Sequence, residues 1–202
     1  MKAELVELLK DRSVLLGEIT LASGEKSDFY VDSKLTTLHP RGAHLVGHLG
    51  WDLIKRQATH KKVGINAIGG LTFGADPIAL SIGLASMQDD GQETLEVFSV
   101  RKSPKEHGRC RLIEGNLHEG DVAVVVDDVI TTGGSTLKAI HAVTEAGAKV
   151  AFVIALVDRN EGGKDNIEKE GFSVFSILTR DELESNSSDA DQGINSEVAG
   201  TY

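Results

Sequence analysis

Residues 122–136 carry the residue types from which a phosphate-binding site can be built. Their sequence, VAVVVDDVITTGGST, is an apolar run followed by two acids and by a turn rich in hydroxyl groups and glycine. Backbone N–H groups of a turn that enters a helix attract phosphate, and Gly133 and Gly134 let the backbone approach a ligand closely. Because carboxylates repel phosphate, we expect Asp127 and Asp128 to hold sugar hydroxyls, Mg²⁺ or both. The segment predicts a sugar-phosphate site; the alternative is that these residues only shape a turn.

A second candidate anion site lies at residues 99–111, where basic residues are concentrated. They are Arg101, Lys102, Lys105, Arg109 and Arg111, with His107 among them and Glu106 as the one acid. The whole chain has a net charge of −10, which argues against a general nucleic-acid binder. A basic segment on an acidic protein suggests a localised anion site. A solvated loop whose cations offset nearby acids is the alternative, and these residue types alone do not separate the two.

Apolar periodicity predicts the elements that must position these two segments. Helices are predicted at residues 2–16, 40–57, 74–87, 135–146 and 164–170. Strands are predicted at residues 63–68, 94–100, 122–126, 150–157 and 172–178, and residues 18–32 suggest a strand, a turn and a second strand. The alternation from residue 63 to 178 predicts an α/β fold with a parallel sheet flanked by helices. Ligands bind at the carboxyl ends of strands in such sheets, where residues 127–136 are expected to lie.

The composition suits one globular domain with a small appendage. We divide the 202 residues into an N-terminal helix and cap at 1–35, a core at 36–184 and an acidic tail at 185–202 that is expected to be disordered. No apolar run is long enough to span a membrane, and the acids in the N-terminal MKAELVELLK disfavour a signal peptide. The single cysteine, Cys110, excludes an internal disulfide, and these features together favour the cytoplasm.

The segment VVVDDVITTGGST closely resembles the phosphoribosyl-diphosphate (PRPP) motif of type I phosphoribosyltransferases. Within these, RKSPKEHG at residues 101–108 resembles the mobile catalytic loop of the orotate phosphoribosyltransferase family. LASGEKSDFYVD, GGLTFGADPIA and LVDR agree as well, so the resemblance covers about residues 15–183 in the family's order. It implies the type I phosphoribosyltransferase fold with a small N-terminal hood. It also implies transfer of ribose 5-phosphate from PRPP to orotate, which gives orotidine 5′-monophosphate and diphosphate in de novo UMP synthesis.

The resemblance also implies which residues act. Those implied to bind PRPP are Arg101, Lys102, Lys105, His107, Asp127, Asp128, Val129, Ile130, Thr131, Thr132, Gly133, Gly134 and Ser135. The two acids hold the ribose hydroxyls in this scheme, and residues 132–135 bind the 5′-phosphate. The residues implied to be catalytic are Arg101, Lys105, His107 and Asp128. Displacement at the anomeric carbon leaves negative charge on diphosphate, which the loop cations neutralise and which His107 can protonate. Thr131 and Arg159 are implied to contact orotate, whose carboxylate suits the arginine fork.

A cofactor and a partner follow from the same resemblance. It implies one Mg²⁺, held mainly through PRPP oxygens rather than by a metal site of the protein. It also implies a homodimer in which the loop of one subunit reaches the active site of the other, with no nucleic acid and no membrane as partner. The chain departs from many family members at Ala22 and Phe73, where they carry lysine. Both departures place more of the anion binding on the loop at residues 101–107.

Two other functions compete with this prediction. One is a type I phosphoribosyltransferase that uses a purine or uracil, which Arg159 and the RKxxKxHG pattern disfavour. The other is a PRPP-sensing regulator that has lost catalysis. Such a regulator needs a surface or module that binds nucleic acid, and this acidic chain offers neither.

Overall fold

A computed structural model of the protein describes residues 1–20, 26–89, 94–103 and 112–185. The helices of the described residues are α1 (Lys2–Arg12), α2 (Lys34–Thr37), α3 (Pro40–Lys61), α4 (Ala75–Met87), α5 (Gly134–Glu145), α6 (Gly163–Lys169) and α7 (Arg180–Glu184). The strands are β1 (Val14–Thr20), β2 (Lys26–Val31), β3 (Ala67–Leu71), β4 (Glu96–Val100), β5 (Ile113–Gly115), β6 (Val122–Ile130), β7 (Lys149–Asp158) and β8 (Val174–Thr179). β1 and β2 form a small sheet, and the others form a central sheet in the order β5-β4-β3-β6-β7-β8.

The central sheet is parallel except at one edge, where β5 pairs antiparallel with β4. Its middle strands are buried on both faces. Along β6, Val124 and Val126 join the core cluster that contains α3 and α4, whereas Ala123 and Val125 join the cluster that contains α5 and α6. A strand buried on both faces appears in the sequence as a continuous apolar run, which is why residues 122–126 predict it. The predicted α/β class with helices on both faces is confirmed, and the antiparallel edge was not predicted.

The helices fix this sheet from both sides. Leu45 of α3 and Ile78 of α4 are fully buried in one cluster, and Ile140 of α5 and Ile167 of α6 are fully buried in the other. The predicted helices at residues 40–57, 74–87, 135–146 and 164–170 are confirmed with small shifts at their ends. Both faces of the sheet are packed, and ligands bind at the carboxyl edge in folds of this kind.

The prediction of a helix to residue 16 is wrong, because α1 ends at Arg12 and β1 begins at Val14. Leu15 continues the near-helical spacing of Leu5, Leu8 and Leu9, yet it is 57% exposed and its backbone pairs with Tyr30. Strand pairing with β2 therefore overrides the local periodicity of the leucines. The strand–turn–strand arrangement predicted for residues 18–32 is confirmed in its two strands, and residues 21–25 of the turn lie outside the described residues.

The predicted strand at residues 63–68 lies too early, because β3 begins at Ala67 and continues to Leu71. Gly69 and Gly70 therefore lie inside the strand. A Cβ atom on Gly69 would be 2.2 Å from the carbonyl oxygen of Phe98, and one on Gly70 would be 1.9 Å from that of Val126. Glycine is needed here because neighbouring backbone comes close, rather than because the chain turns.

The short elements α2, β5 and α7 were not predicted. The division at residues 35 and 184 stays a prediction, and residues 186–202 of the predicted tail lie outside the described residues. Among the described helices, none has both the length and the apolar character needed to cross a bilayer.

Candidate active site

The candidate site lies at the carboxyl edge of the central sheet. β6 ends at Ile130, and residues 131–133 form the turn that leads into α5 at Gly134. β7 ends beside it, because the N–H group of Arg159 donates to the carbonyl oxygen of Ile130 at 3.1 Å. The end of β3 joins the same edge, where the N–H group of Thr72 donates to the carbonyl oxygen of Val100 at 2.7 Å. Parallel strands thus bring segments that are far apart in the sequence to one place.

Asp128 lies half-buried between the end of β6, the turn after β3 and the start of α2. Ser33, at the start of α2, donates its hydroxyl to Asp128 Oδ2 at 2.5 Å. Gly74 packs against the other side, since a Cβ atom there would lie 2.3 Å from Asp128 Oδ1. Nearby, the hydrogen bond to Asp32 is the main cause that raises the pKa of Lys34, and the charge of Asp128 adds to it. The Asp128 carboxylate is therefore held in a fixed position by Ser33 and by the turn at residues 72–74.

Asp127 has a different environment, although it is the adjacent residue. Only 4% of it is exposed, and Oδ2 accepts hydrogen bonds from the hydroxyls of Ser135 at 3.0 Å and Thr136 at 2.5 Å. Oδ1 accepts from the N–H group of Asp128 at 3.0 Å. Burial raises the pKa of Asp127 to about 6, and the hydroxyls of Thr136 and Ser135 oppose that rise. This carboxylate ties the end of β6 to the first turn of α5.

Asp127→Asn is expected to change the pH dependence of stability. A folded-state pKa near 6, above the ordinary value of about 3.9, means that the folded chain binds more protons than the unfolded chain between these values. The carboxylate therefore makes the free energy of unfolding fall as pH rises from about 4 to about 6, and asparagine removes this loss. Urea unfolding gives the free energy of unfolding at about pH 5 and at about pH 7.5. Between these two pH values, the free energy of unfolding of the wild type should fall by about 1.4 kcal/mol more than that of the variant. Equal losses would show that the pKa of Asp127 is not raised.

The turn itself presents backbone donors outward. Gly133 has a left-handed φ of 85°, and no described side chain caps α5, whose first turn carries N–H groups without partners inside the helix. α6 supports the turn from behind, where Asn166 donates its side-chain amide to the carbonyl oxygen of Thr132 at 3.1 Å. Thr132, Gly134 and Ser135 are exposed. The arrangement can bind an anion through backbone N–H groups and the positive end of the helix dipole.

Gly133→Ala tests how closely this turn is packed. A Cβ atom at Gly133 would lie 2.9 Å from the carbonyl oxygen of Gly163 and 3.0 Å from Ile167 Cγ1. Gly162 is a matched control, because its φ is 83° and an added Cβ there would meet nothing within 4 Å. Both alanines carry the penalty of a left-handed residue, about 1–2 kcal/mol. Urea unfolding should therefore show a larger loss of free energy for Gly133→Ala, by about 1–3 kcal/mol from the added contact. Equal losses in the two variants would contradict this packing.

Arg159 follows β7 and lies beneath the small sheet. It is 6% exposed, its Nη2 donates to Ser27 Oγ at 3.1 Å, and the same nitrogen forms an ion pair with Glu161 Oε1 at 2.7 Å. Its guanidinium carbon is 5.7 Å from the ring centre of Phe29, and that of Arg180 is 5.0 Å from the same ring. The Nε atom of Arg159 is buried and has no hydrogen-bond partner among the described residues. A buried guanidinium with an unused donor is suited to bind an anionic group.

The structure brings most of the predicted site residues together. They are Asp127, Asp128, Val129, Ile130, Thr131, Thr132, Gly133, Gly134, Ser135 and Arg159. Arg101 and Lys102 follow β4 at the same edge, where the N–H group of Arg101 donates to the carbonyl oxygen of Leu112 at 2.7 Å. Phe73, where many family members carry lysine, is half exposed in the turn after β3. Lys105, His107 and Ala22 lie outside the described residues.

Four residues near the site were not singled out from the sequence. They are Ser27, Phe29, Ser33 and Glu161. Ser27 and Phe29 belong to the stretch LASGEKSDFYVD, so the family resemblance was a signal for them even though it gave them no role. Ser33 and Glu161 carried no such signal, since each acts through a contact that only the fold creates.

The chain is similar to known proteins over most of its length. Residues 84–185 match the family described as the phosphoribosyl transferase domain. An orotate phosphoribosyltransferase from Aquifex aeolicus is 43% identical over 90% of this chain and 97% of its own length. A crystal structure of the Mycobacterium tuberculosis H37Rv orotate phosphoribosyltransferase with Fe(III) dicitrate has a TM-score of 0.77 and 41% identity, and covers 91% of this chain and 99% of that one. The same enzyme in complex with PRPP has a TM-score of 0.74 and 38% identity, with 91% and 99% covered.

Proposed function

Because the chain belongs to the orotate phosphoribosyltransferase family, we propose how its residues divide the work of that reaction. The enzyme is a pentosyltransferase that moves ribose 5-phosphate from PRPP to orotate. The bond from the anomeric carbon to diphosphate breaks, and a bond to a ring nitrogen of orotate forms. The observation that carries the proposed division is the position of Arg159. Its guanidinium is buried beside Ser27 and Phe29, and its backbone N–H group donates to Ile130, the last residue of the strand that leads into the phosphate turn.

The first turn of α5 binds the 5′-phosphate in this proposal. Thr132, Gly133, Gly134 and Ser135 present backbone N–H groups at the positive end of the helix dipole, where a phosphate is stabilised. Backbone donors set by a packed turn need no rearrangement when the ligand arrives. The packing of Gly133 against Gly163 supports this, because it keeps the turn in one conformation.

The two acids serve the ribose in different ways. Asp128 is half-buried and held by Ser33, so we assign it the direct contact with the ribose hydroxyls. Val129 and Ile130 contribute through their backbone, since their side chains pack in the core. The negative charge of Asp128 also stabilises the positive charge that develops on the ribose as diphosphate leaves. Asp127 lies below and has both carboxylate oxygens engaged, so it contributes to the ribose side chiefly by holding Ser135 and the start of α5 in place.

Arg159 and Thr131 bind orotate in this proposal. The guanidinium is buried and its Nε–H group has no partner among the described residues, so a carboxylate there gains charge-assisted hydrogen bonds that a neutral base cannot make. Uracil and hypoxanthine have no carboxylate, and they leave the donor unpaired. We assign Thr131 to orotate as well, since it directly follows Ile130, whose carbonyl oxygen accepts from the backbone N–H group of Arg159.

Diphosphate is bound by the basic loop in this proposal. Arg101 and Lys102 begin it at the sheet edge, and Lys105 and His107, which lie outside the described residues, complete the positive charge. Neutralising the leaving group lowers the barrier to its departure, and His107 is suited to protonate it.

Mg²⁺ fits this site as an ion that arrives with PRPP. Among the described residues no group of three or more His, Cys, Asp or Glu side chains could hold a metal, whereas the Asp128 carboxylate stands beside the ribose position. Oxygen ligands from diphosphate and ribose hydroxyls suit a hard cation that retains several waters. When bound, the ion offsets the charge of the diphosphate.

We propose a homodimer with shared active sites, in which the loop of each subunit acts in the site of its partner. This rests on the family alone. The acidic chain favours neither nucleic acid nor membrane as a partner. The lone cysteine supports the cytoplasm as the proposed location.

A panel of bases tests the assigned specificity. The protein is incubated with PRPP, Mg²⁺ and either orotate, uracil or hypoxanthine, and nucleotide formation is measured for each. Orotate should be used at least about 10³-fold more efficiently, since losing a buried polar contact produces selectivity of about 10⁴ in other sites built this way. Turnover of uracil or hypoxanthine but not orotate would overturn the assignment of Arg159 as a carboxylate ligand.

A further inference from the structure

The Arg159 guanidinium, assigned above to the orotate carboxylate, already holds a carboxylate of the protein. Glu161 Oε1 lies 2.7 Å from Arg159 Nη2, and Ser27 Oγ lies 3.1 Å from the same nitrogen. An Nη2 group has two hydrogens. One donates to the serine, and the glutamate carboxylate forms an ion pair with the same nitrogen.

The shape of a guanidinium limits the positions at which a second carboxylate can bind to it. A carboxylate binds with two parallel hydrogen bonds on one of two edges, the edge formed by Nε and Nη2 or the edge formed by Nη1 and Nη2. Each of these edges uses one hydrogen of Nη2. An incoming carboxylate must therefore place an oxygen beside Nη2, where the oxygens of Ser27 and Glu161 already lie at 3.1 Å and 2.7 Å, so it competes with one of them.

Ser27 is the partner that is harder to displace. It belongs to β2, and its hydroxyl donates to the carbonyl oxygen of Phe29 at 2.7 Å. The Phe29 ring is fully buried and lies against the Arg159 guanidinium. Moving Ser27 would disturb this packing.

Glu161 is easier to displace from Arg159 than Ser27. Its side chain is 36% exposed, against 7% for that of Arg159, and it lies in the loop between β7 and α6. A displaced Glu161 carboxylate can return to water, where its charge is well solvated. Exchange of one carboxylate for another keeps the buried Arg159 charge paired throughout.

We propose that Glu161 is an internal competitor for the substrate carboxylate. It neutralises Arg159 in the empty enzyme and gives way when orotate binds, so it is a specificity-determining residue rather than a catalytic one. The inference rests on the proposed role of Arg159. Orotidine 5′-monophosphate retains the carboxylate of orotate, so Glu161 also weakens product binding and favours its release.

Glu161→Gln in the full chain tests this proposal. Removing the competing charge should lower the KM for orotate and the inhibition constant of orotidine 5′-monophosphate, each by about two- to fivefold, the range for a partly exposed ion pair. The KM for PRPP should stay unchanged. A residue that merely held Arg159 in place would produce the opposite change, a higher KM for orotate. Glu145→Gln is the matched control, since this exposed glutamate ends α5, about 16 Å along the helix from the site.

The outcomes of these measurements distinguish failure of the competitor role of Glu161 from failure of the proposed role of Arg159. Turnover of orotate by the wild type, together with an orotate KM that is unchanged or higher in Glu161→Gln, overturns the competitor role alone. An orotate KM that is unaffected by Arg159→Ala overturns the assigned carboxylate contact and the competitor role with it. A lower orotate KM in Glu161→Gln and in Glu161→Ala, but not in Glu145→Gln, supports the proposal.

Discussion

Arg159→Ala is expected to lower kcat/KM for orotate by two to three orders of magnitude. The guanidinium is 6% exposed and is the proposed partner of the orotate carboxylate. Truncating one partner of a buried charged pair costs about 2–5 kcal/mol, and each 1.4 kcal/mol is a factor of ten. Initial rates with varied orotate at saturating PRPP measure the effect, and the KM for PRPP should change by no more than about threefold if the two sites are as separate as assigned.

Arg180→Ala controls for the loss of an arginine beside the Phe29 ring. The guanidinium carbon of Arg180 is 5.0 Å from the centre of the Phe29 ring, but its ion pairs are with Asp28 and Glu184 at the surface. This control should keep kcat/KM for orotate within about threefold of the wild type, since exposed pairs contribute about 1 kcal/mol or less. Equal effects of the two substitutions would mean that Arg159 acts by packing rather than by binding substrate.

Lys105→Ala is expected to lower kcat by about two to three orders of magnitude, the effect of removing one donor that stabilises transition-state charge. The residue belongs to the RKSPKEHG segment, whose charge is proposed to neutralise the departing diphosphate. The far-ultraviolet circular dichroism and the thermal midpoint should stay unchanged, because a lysine in such a polar loop contributes little to the core. Lys149→Ala is the control, since this exposed lysine begins β7 at the opposite edge of the sheet. A normal kcat in Lys105→Ala would show that this loop is not the catalytic one.

Mixing the two inactive variants tests whether active sites are shared. If the loop of one subunit serves its partner, a mixed dimer of Lys105→Ala and Arg159→Ala contains one site with neither substitution. Random association makes half of the dimers mixed, so co-refolded protein should recover about a quarter of the wild-type activity if assembly is the usual two-fold kind. A mixture no more active than its parts would mean that each loop acts in its own subunit.

The phosphate turn was predictable because its parts are contiguous. The apolar strand, the acids, the turn and the helix occupy one segment from Val122 onward, and each part has a local physical signature. The environments of the two acids were not predictable. Asp127 and Asp128 are adjacent and identical in type, yet one is enclosed by Ser135 and Thr136 and the other faces Ser33 and Gly74.

Contacts that depend on the topology of the fold were not predictable from the sequence either. Ser33 and Asp128 are 95 residues apart, and Ser27 and Arg159 are 132 residues apart. Only the parallel order of the central strands and the folding of the small sheet over their ends bring these pairs together. Leu15 illustrates the same limit in the fold, because its helical spacing was overridden by pairing with Tyr30.

Loss of orotate absorbance in the ultraviolet is the most direct test of the central claim, that this site transfers ribose 5-phosphate from PRPP to orotate. The purified protein should consume orotate only when PRPP and Mg²⁺ are both present, with one diphosphate released for each orotidine 5′-monophosphate formed. A constant absorbance in the complete mixture, from protein whose circular dichroism shows it to be folded, would contradict the claim.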